Sequence, residues 1–263
     1  MISKMKASNQ TTLERADRLA HYLLKALNKG QRRYGLLADG DTILLAVSGG
    51  KDSLTMLDLL ERRRRTGQER YTLTAAHVVS DYYCGRKVPN DWLAAYCETR
   101  GIPLVIEPVA IADTVTAAER SRCYLCARER RRALFEIAGR MGCNKLAFGH
   151  HADDVAETTL MNLFYSGRID SIDPKAEFFD GRLTVIRPLV LVEERDIVPY
   201  AKASGFPLAG EPCPDGSSSR RAFVKDLLRQ VERDHNGVKR SMYHAMDRYR
   251  RALARIGHDP KSI

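Results

Sequence analysis

The sequence predicts an α/β fold: a Rossmann-like parallel sheet with helices on both faces, extended at the N- and C-termini by further helices. Three observations carry this. Strand-like runs alternate with helical patterns between Thr42 and Arg187, a glycine-rich turn at Ser48-Gly49-Gly50-Lys51-Asp52-Ser53 joins an apolar run to a helix start, and the pattern becomes purely helical after Pro188. Each crossover from strand to helix and back returns the next strand in the same direction, so the sheet is parallel. A chain of 263 residues can bury one large core with extensions. The expected divisions are an N-terminal helical extension over 1–35, a nucleotide-binding α/β domain over 36–190, and a C-terminal helical region over 191–263 packed on it.

In chain order, Thr11 to Asn28 places Leu13, Ala16, Leu19, Ala20, Leu23, Leu24 and Leu27 at helical spacing, an amphipathic helix ahead of the sheet. Strands are predicted at Thr42 to Val47, Thr72 to Val79, Pro103 to Val109, Lys145 to Phe148 and Thr184 to Arg187. Helices are predicted between them at Ser53 to Arg65, Asp91 to Arg100, Leu125 to Met141 and Val155 to Phe164. Glu193 to Ala203, Ser219 to Glu232 and Val238 to Ile256 complete the set, broken at Gly205-Phe206-Pro207 and Asn236-Gly237. The run Arg62 to Arg65 reads as a solvated helix end. In such a sheet ligands bind at the carboxyl ends of the strands, where the glycine-rich turn, Asp81 and Gly149-His150-His151 all fall.

The glycine-rich turn follows Ile43-Leu44-Leu45-Ala46-Val47 and precedes a helix. Glycines let backbone N–H groups approach an oxyanion, the first helical turn offers unpaired donors, and Lys51 adds mobile charge, so the turn suits phosphate. A Walker loop would need glycine where Leu45 stands, and no GxGxxG turn is present. The hexapeptide resembles instead the SGGxDS loop of the PP-loop ATP pyrophosphatases. That resemblance implies ATP cleavage between the α- and β-phosphates and transient adenylation of a carbonyl oxygen. Gly149-His150-His151-Ala152-Asp153-Asp154 opens a second helix after a strand. Asp52 and Asp154 can together hold the Mg²⁺ that accompanies ATP, with Asp153 expected to cap the helix. His150 or His151 would contact phosphate or act on a proton. Nucleotide contacts are expected from Ala46, Val47, Ser48, Gly49, Gly50, Lys51, Asp52 and Ser53, from Val78, and from Gly149, His150 and Asp154, with Lys51, Asp52 and Asp154 catalytic.

The net charge of +10 is concentrated at the ends: residues 1 to 40 hold 8 Lys/Arg against 3 Asp/Glu, and residues 217 to 263 hold 12 against 5. Two basic ends suit a polyanion such as RNA, with solvated helix faces as the alternative. No stretch approaches the ~20 apolar residues of a membrane span, and the expected compartment is the cytoplasm. The six cysteines are then thiols for metal binding, catalysis or packing. Cys123-Tyr124-Leu125-Cys126 enters a helix carrying Arg128, Arg130, Arg131 and Arg132, and Cys213 stands far along the chain. A lone CxxC is compatible with a redox pair, a zinc half-site or an iron–sulfur site completed by a third thiolate. Cys97 and Cys143 read as buried thiols, and Cys84 is a candidate fourth ligand.

These segments, with Phe164-Tyr165-Ser166-Gly167, Ile186-Arg187-Pro188-Leu189 and Pro212-Cys213, occur in the order found in the tRNA 2-thiocytidine synthetase family. The resemblance covers most of the chain. It implies adenylation of a cytosine C2 carbonyl oxygen at tRNA position 32, displacement of AMP by sulfur from a cysteine desulfurase or sulfide, and a [4Fe–4S] cluster on Cys123, Cys126 and Cys213. It also implies a homodimer. Where the family often carries a second CxxC only Cys213 remains, and Ile172-Asp173-Pro174-Lys175 departs from the family's proline-rich loop. The alternatives are a PP-loop enzyme acting on a different nucleotide and a non-catalytic nucleotide- or zinc-binding RNA module.

Overall fold

A computed structural model describes residues 2–82, 88–118, 122–208 and 219–255. The elements run α1 (Ile2–Tyr34), β1 (Asp41–Ala46), α2 (Lys51–Thr66), β2 (Tyr71–Ser80), α3 (Asn90–Glu98), β3 (Leu104–Val109), α4 (Ala112–Thr116) and α5 (Arg122–Arg140). They continue β4 (Lys145–Ala147), α6 (Ala152–Ser166), β5 (Lys175–Phe178), β6 (Leu183–Ile186), α7 (Glu194–Ala203), α8 (Arg220–Asp234) and α9 (Val238–Arg255). The sheet order is β3-β2-β1-β4-β6-β5. Its first five strands are parallel, with Leu45 opposite both Ala75 of β2 and Ala147 of β4. Central β1 is buried on both faces, as expected of an apolar run covered by helices on either side.

Strand order reverses at β1: β2 lies on one side and β4 on the other. The loop after β1 feeds α2 and the loop after β4 feeds α6, so a crevice opens between them at the carboxyl ends of the strands. That topology places both sequence motifs face to face.

The expected parallel sheet acquires one antiparallel edge strand, β5, paired to β6 through a turn in which Phe179 and Asp180 take positive φ. Lys175-Ala176-Glu177-Phe178 is short and largely exposed, so it has no apolar face for a periodicity to reveal. The N-terminal helix is also longer than its apolar spacing indicates, beginning at Ile2.

The helical ends share the sheet's core. Leu23 and Leu27 of α1 and Ile197 and Tyr200 of α7 are buried in one cluster with Leu54 and Leu57 of α2. On the other side Val224 and Leu228 of α8 pack on Ala156 of α6, and Tyr243 of α9 packs near Val155 and Val190.

The arginine run on α2 is not a solvated end. Arg63 is buried and donates to Asn28 at 2.8 Å and to Glu69, while Arg62 bridges Asp17 and Asp58 at 2.8 Å each. Buried Asp58 also accepts from Tyr96 at 2.6 Å and from Tyr200. A buried carboxylate survives when donors surround it, and here they tie α1, α3 and α7 to α2. Among the described residues no helix is long and apolar enough to cross a membrane.

Candidate active site

The first turn of α2 is built by its own serines. Ser53 Oγ accepts the Ser48 N–H at 3.2 Å and donates to the Gly50 carbonyl at 3.0 Å, closing the loop on itself. Gly49 takes φ +82°, and a Cβ there would lie 2.5 Å from Val88 Cγ1; only glycine fits. Gly149, on the facing loop, lies so close that a Cβ would meet the Asp52 carbonyl and Ser53 nitrogen at 3.0 Å. The two motifs are in backbone contact, a cradle that side chains would fill.

An open cleft of about 380 Å³ lies beside this contact. Ala46, Val47, Ser48, Asp52, Ser53, Val78, Gly149, His150 and Asp154 all line it. Gly49, Gly50 and Lys51 are not among its walls. Ala76, Leu134 and Phe148 supply further apolar surface, and Arg130 and Arg131 of α5 face it with cationic side chains. An apolar floor with converging polar and cationic groups suits a base and a polyphosphate.

Lys51 Nζ is 3.0 Å from both Asp52 Oδ2 and Glu194 Oε1. Burial pulls the ammonium towards its neutral form, but those two carboxylates outweigh it and hold the Lys51 pKa above the ordinary lysine value. Glu194 also accepts from Lys225 at 2.9 Å. Burial pushes its pKa up, yet Lys225 and Lys51 carry it down to about 2. The other oxygen of Asp52, Oδ1, is buried without a hydrogen-bond partner. An orphaned carboxylate oxygen beside a phosphate-type loop fits a metal-bound phosphate.

The facing motif assigns the two aspartates differently from the sequence reading. Asp154 occupies the capping position, its Oδ2 accepting the His151 N–H at 2.9 Å. Asp153 points away, accepting the Glu194 N–H at 2.7 Å and pairing with Lys239 at 2.7 Å. Adjacent residues on a helix start diverge by about 100°, which no sequence spacing resolves. Asp154 nevertheless faces the cleft. His151 Nε2 lies 3.6 Å from Asp52 Oδ1 and 3.5 Å from Asp154 Oδ2, so the two carboxylates flank one imidazole. Against the pull of burial, His151 and Arg221 hold the Asp154 pKa below the usual carboxylate value. His150 is driven by burial down to about 4 and is neutral at pH 7.

The carboxylates are covered from the C-terminal helices. Arg221 donates to Asp154 at 2.5 Å and to Glu157 at 3.0 Å, and Lys225 reaches Glu194. The basic excess of α8 is therefore partly spent inside the site, which the charge distribution along the chain did not reveal. Arg187 stands near Arg131 and Arg250; burial, with those cations, lowers its pKa to about 10. Asp81 is not part of the site and caps the start of α4 by accepting the Ile111 and Ala112 N–H groups.

Cys123 and Cys126 share the first turn of α5, Cys123 exposed and Cys126 buried against Ile111 and Val115. Ala127, Arg130, Arg131 and Leu134 of the cleft wall continue the same helix, so the cysteine pair stands at the cleft's rim. Cys213 and Cys84 lie outside the described residues. Among the described residues no three His, Cys, Asp or Glu side chains form a metal-binding group. Cys97 and Cys143 are buried, and burial raises both thiols, Cys97 to about 11.

The PP-loop domain family matches residues 16–232. The chain is 38% identical over 240 residues to the tRNA-cytidine(32) 2-sulfurtransferase of Geobacter sulfurreducens, covering 89% of this chain and 92% of that protein. Its identity to the enzyme of the same name from Geobacter metallireducens is 40% over 218 residues, 81% and 84% of the two chains. The chain belongs to the tRNA-cytidine(32) 2-sulfurtransferase family of PP-loop proteins. Among solved structures it is similar to the U34-tRNA thiolase NcsA from Methanococcus maripaludis, described with its [4Fe–4S] cluster, at TM-score 0.72 and 25% identity over 89% of this chain and 79% of that one. In this sulfurtransferase family member the cleft lies between the loops of Ser48 and Gly149, both inside the matched PP-loop domain.

Proposed function

We propose that this chain uses ATP to thiolate tRNA, converting a cytidine, position 32 by family, to 2-thiocytidine. The observation that carries the reading is the cleft itself: a PP-loop whose Asp52 has a buried, unpartnered oxygen, facing Asp154 and bordered by the Cys123–Cys126 turn. The family relationship supplies the substrate class, and the resemblance to a thiolase with a [4Fe–4S] cluster supports the sulfur chemistry.

The cytosine C2 oxygen attacks the α-phosphorus of ATP and pyrophosphate departs; sulfur at the sulfide level then attacks C2, and AMP leaves with the oxygen. The chain's own residues act on charge. The loop amides and Lys51 meet the departing pyrophosphate, an arrangement set before reaction and therefore effective. Asp52 and Asp154 would hold Mg²⁺, which supplies Lewis-acid neutralisation of phosphate charge. Ala46, Val47 and Val78 form an apolar seat for adenine. Cys123, Cys126 and Cys213 would hold the [4Fe–4S] cluster, which supplies a binding position for sulfide. Neutral His150 contacts phosphate as a hydrogen-bonding group rather than a cation. Free sulfide supplies the sulfur directly, or a cysteine desulfurase supplies it as a persulfide that two electrons from a thiol reductant, itself oxidised to a disulfide, bring to the sulfide level; the working unit is a homodimer.

The test is mass spectrometry of tRNA nucleosides from cells lacking the protein. Loss of 2-thiocytidine, restored by the wild-type chain and not by Asp52→Ala, is expected. Unchanged 2-thiocytidine, or loss of a thiolated uridine instead, contradicts the proposal.

A further inference from the structure

Five large apolar side chains are exposed on or beside two helices that pack together: Leu163, Phe164 and Tyr165 in the last turn of α6, Ile169 just beyond it, and Phe223 on α8. Phe164 is 51% exposed and Phe223 61%, so these rings contribute little to folding by burial. The Arg220 guanidinium lies over the Tyr165 ring at 4.7 Å, joining the two helices, and Phe223 follows Arg220 by one helical turn on the same face. Arg168, two residues past the end of α6, is also exposed. An exposed aromatic cluster of this kind marks a binding surface.

Its position indicates the occupant. α6 opens at Asp154, and α8 opens at Arg220 beside Arg221, the residue that clasps Asp154. The two helices that build the carboxylate arm of the cleft carry the rings outward, Tyr165 standing about 16 Å along α6 from Asp154. We propose that Phe164, Tyr165, Phe223 and Arg220 form a stacking platform for unpaired bases of the RNA loop next to the one that enters the cleft. This rests on the tRNA-thiolation reading above. Single-stranded RNA is recognised by bases stacked on aromatic rings and guanidinium planes, with phosphates met by nearby cations. The exposed charges next to Tyr165 are Arg168 and Arg220, both positive, while Asp226 lies one turn beyond Phe223 on α8. A self-complementary contact with a second copy would set this cationic rim near its own image, whereas phosphate neutralises it.

The experiment uses the full chain and an anticodon stem-loop in which a loop base adjacent to the target cytidine is 2-aminopurine. Binding should change the fluorescence of the probe as its base stacks. Phe164→Ala and Phe223→Ala should each abolish that change and weaken binding by about 5- to 150-fold, the loss of one stack at ~1–3 kcal/mol. Phe164→Tyr and Phe223→Tyr, which keep a ring, should bind like wild type, and ATP affinity should not move. Alanine variants that bind and report like wild type overturn the platform. Variants that keep full RNA affinity but sediment at half the mass overturn it too, assigning the surface to a second copy. A wild-type chain that binds no tRNA refutes the thiolation reading itself, and the platform with it.

Discussion

The glycines of the PP-loop have separable roles, and substituting each by alanine distinguishes them. At Gly49 an added Cβ meets Val88 at 2.5 Å in a backbone with φ +82°. The left-handed backbone costs about 1–2 kcal/mol and displacing a packed valine about 1–3 kcal/mol, so Gly49→Ala should lose about 2–5 kcal/mol of stability. Gly50 has φ −76° and ψ 159°, and its Cβ would meet only Ser48 Oγ at 3.6 Å. Gly50→Ala should be within about 1 kcal/mol of wild type, the weaker N-cap offset by a less flexible unfolded chain. If Gly50 faces phosphate, ATP affinity should still fall. Gly149→Ala pushes on the Asp52 backbone at 3.0 Å and should reduce turnover more than stability, since misplacing reacting groups by even about 1 Å can cost ~100-fold. Urea unfolding and AMP release measure the two effects. A Gly49→Ala protein as stable as wild type, or a Gly50→Ala protein as destabilised as Gly49→Ala, would refute the steric argument.

Other perturbations follow from the ion pairs of the site. Glu194 has a pKa of about 2 against about 4.3 in an unfolded chain, so it contributes stability fully present above about pH 4.3 and lost as pH falls towards 2. Glu194→Gln should flatten that part of an acid-denaturation curve, and it should also lower the pH at which Lys51 becomes reactive to an amine-acylating reagent; an unmoved Lys51 profile would exclude their coupling. Arg221→Ala should impair AMP release because Arg221 holds Asp154, while the salt dependence of tRNA binding stays close to wild type; a reduced salt slope would show that Arg221 contacts RNA phosphate instead. Asp58→Ala, which strips the acceptor from Tyr96, Tyr200 and Arg62, should cost about 3–5 kcal/mol in urea unfolding. Single alanine substitutions at Cys123, Cys126 and Cys213 should each lose iron, and Cys143→Ala should not; stoichiometric zinc in anaerobically prepared protein would overturn the cluster.

The parallel strands and the phosphate loop could be read from sequence because their signals are local: an apolar run, two glycines and a helix start occupy consecutive residues. The second motif is local too, a strand running into Gly149 and a helix start, although its position opposite the first depends on the distant pairing of β1 and β4. What escaped depends on partners far away in the chain. Arg63 looked solvated because the partner that buries it from a distance, Asn28, sits on α1, while Glu69 folds back from the loop after α2. Glu194 and Arg221 entered the site from α7 and α8, with no motif around them to announce contact with Lys51 and Asp154. Of the aspartate pair, Asp154 faces the cleft and also takes the capping contact expected of Asp153, because helix rotation decides which carboxylate reaches the His151 N–H.

The most direct test is a single-turnover reaction of anaerobically prepared protein with ATP, sulfide and tRNA lacking the modification. One AMP and one pyrophosphate are expected for each 2-thiocytidine formed, with all three lost in Asp52→Ala. Formation of ADP, or 2-thiocytidine appearing without ATP cleavage, would contradict it.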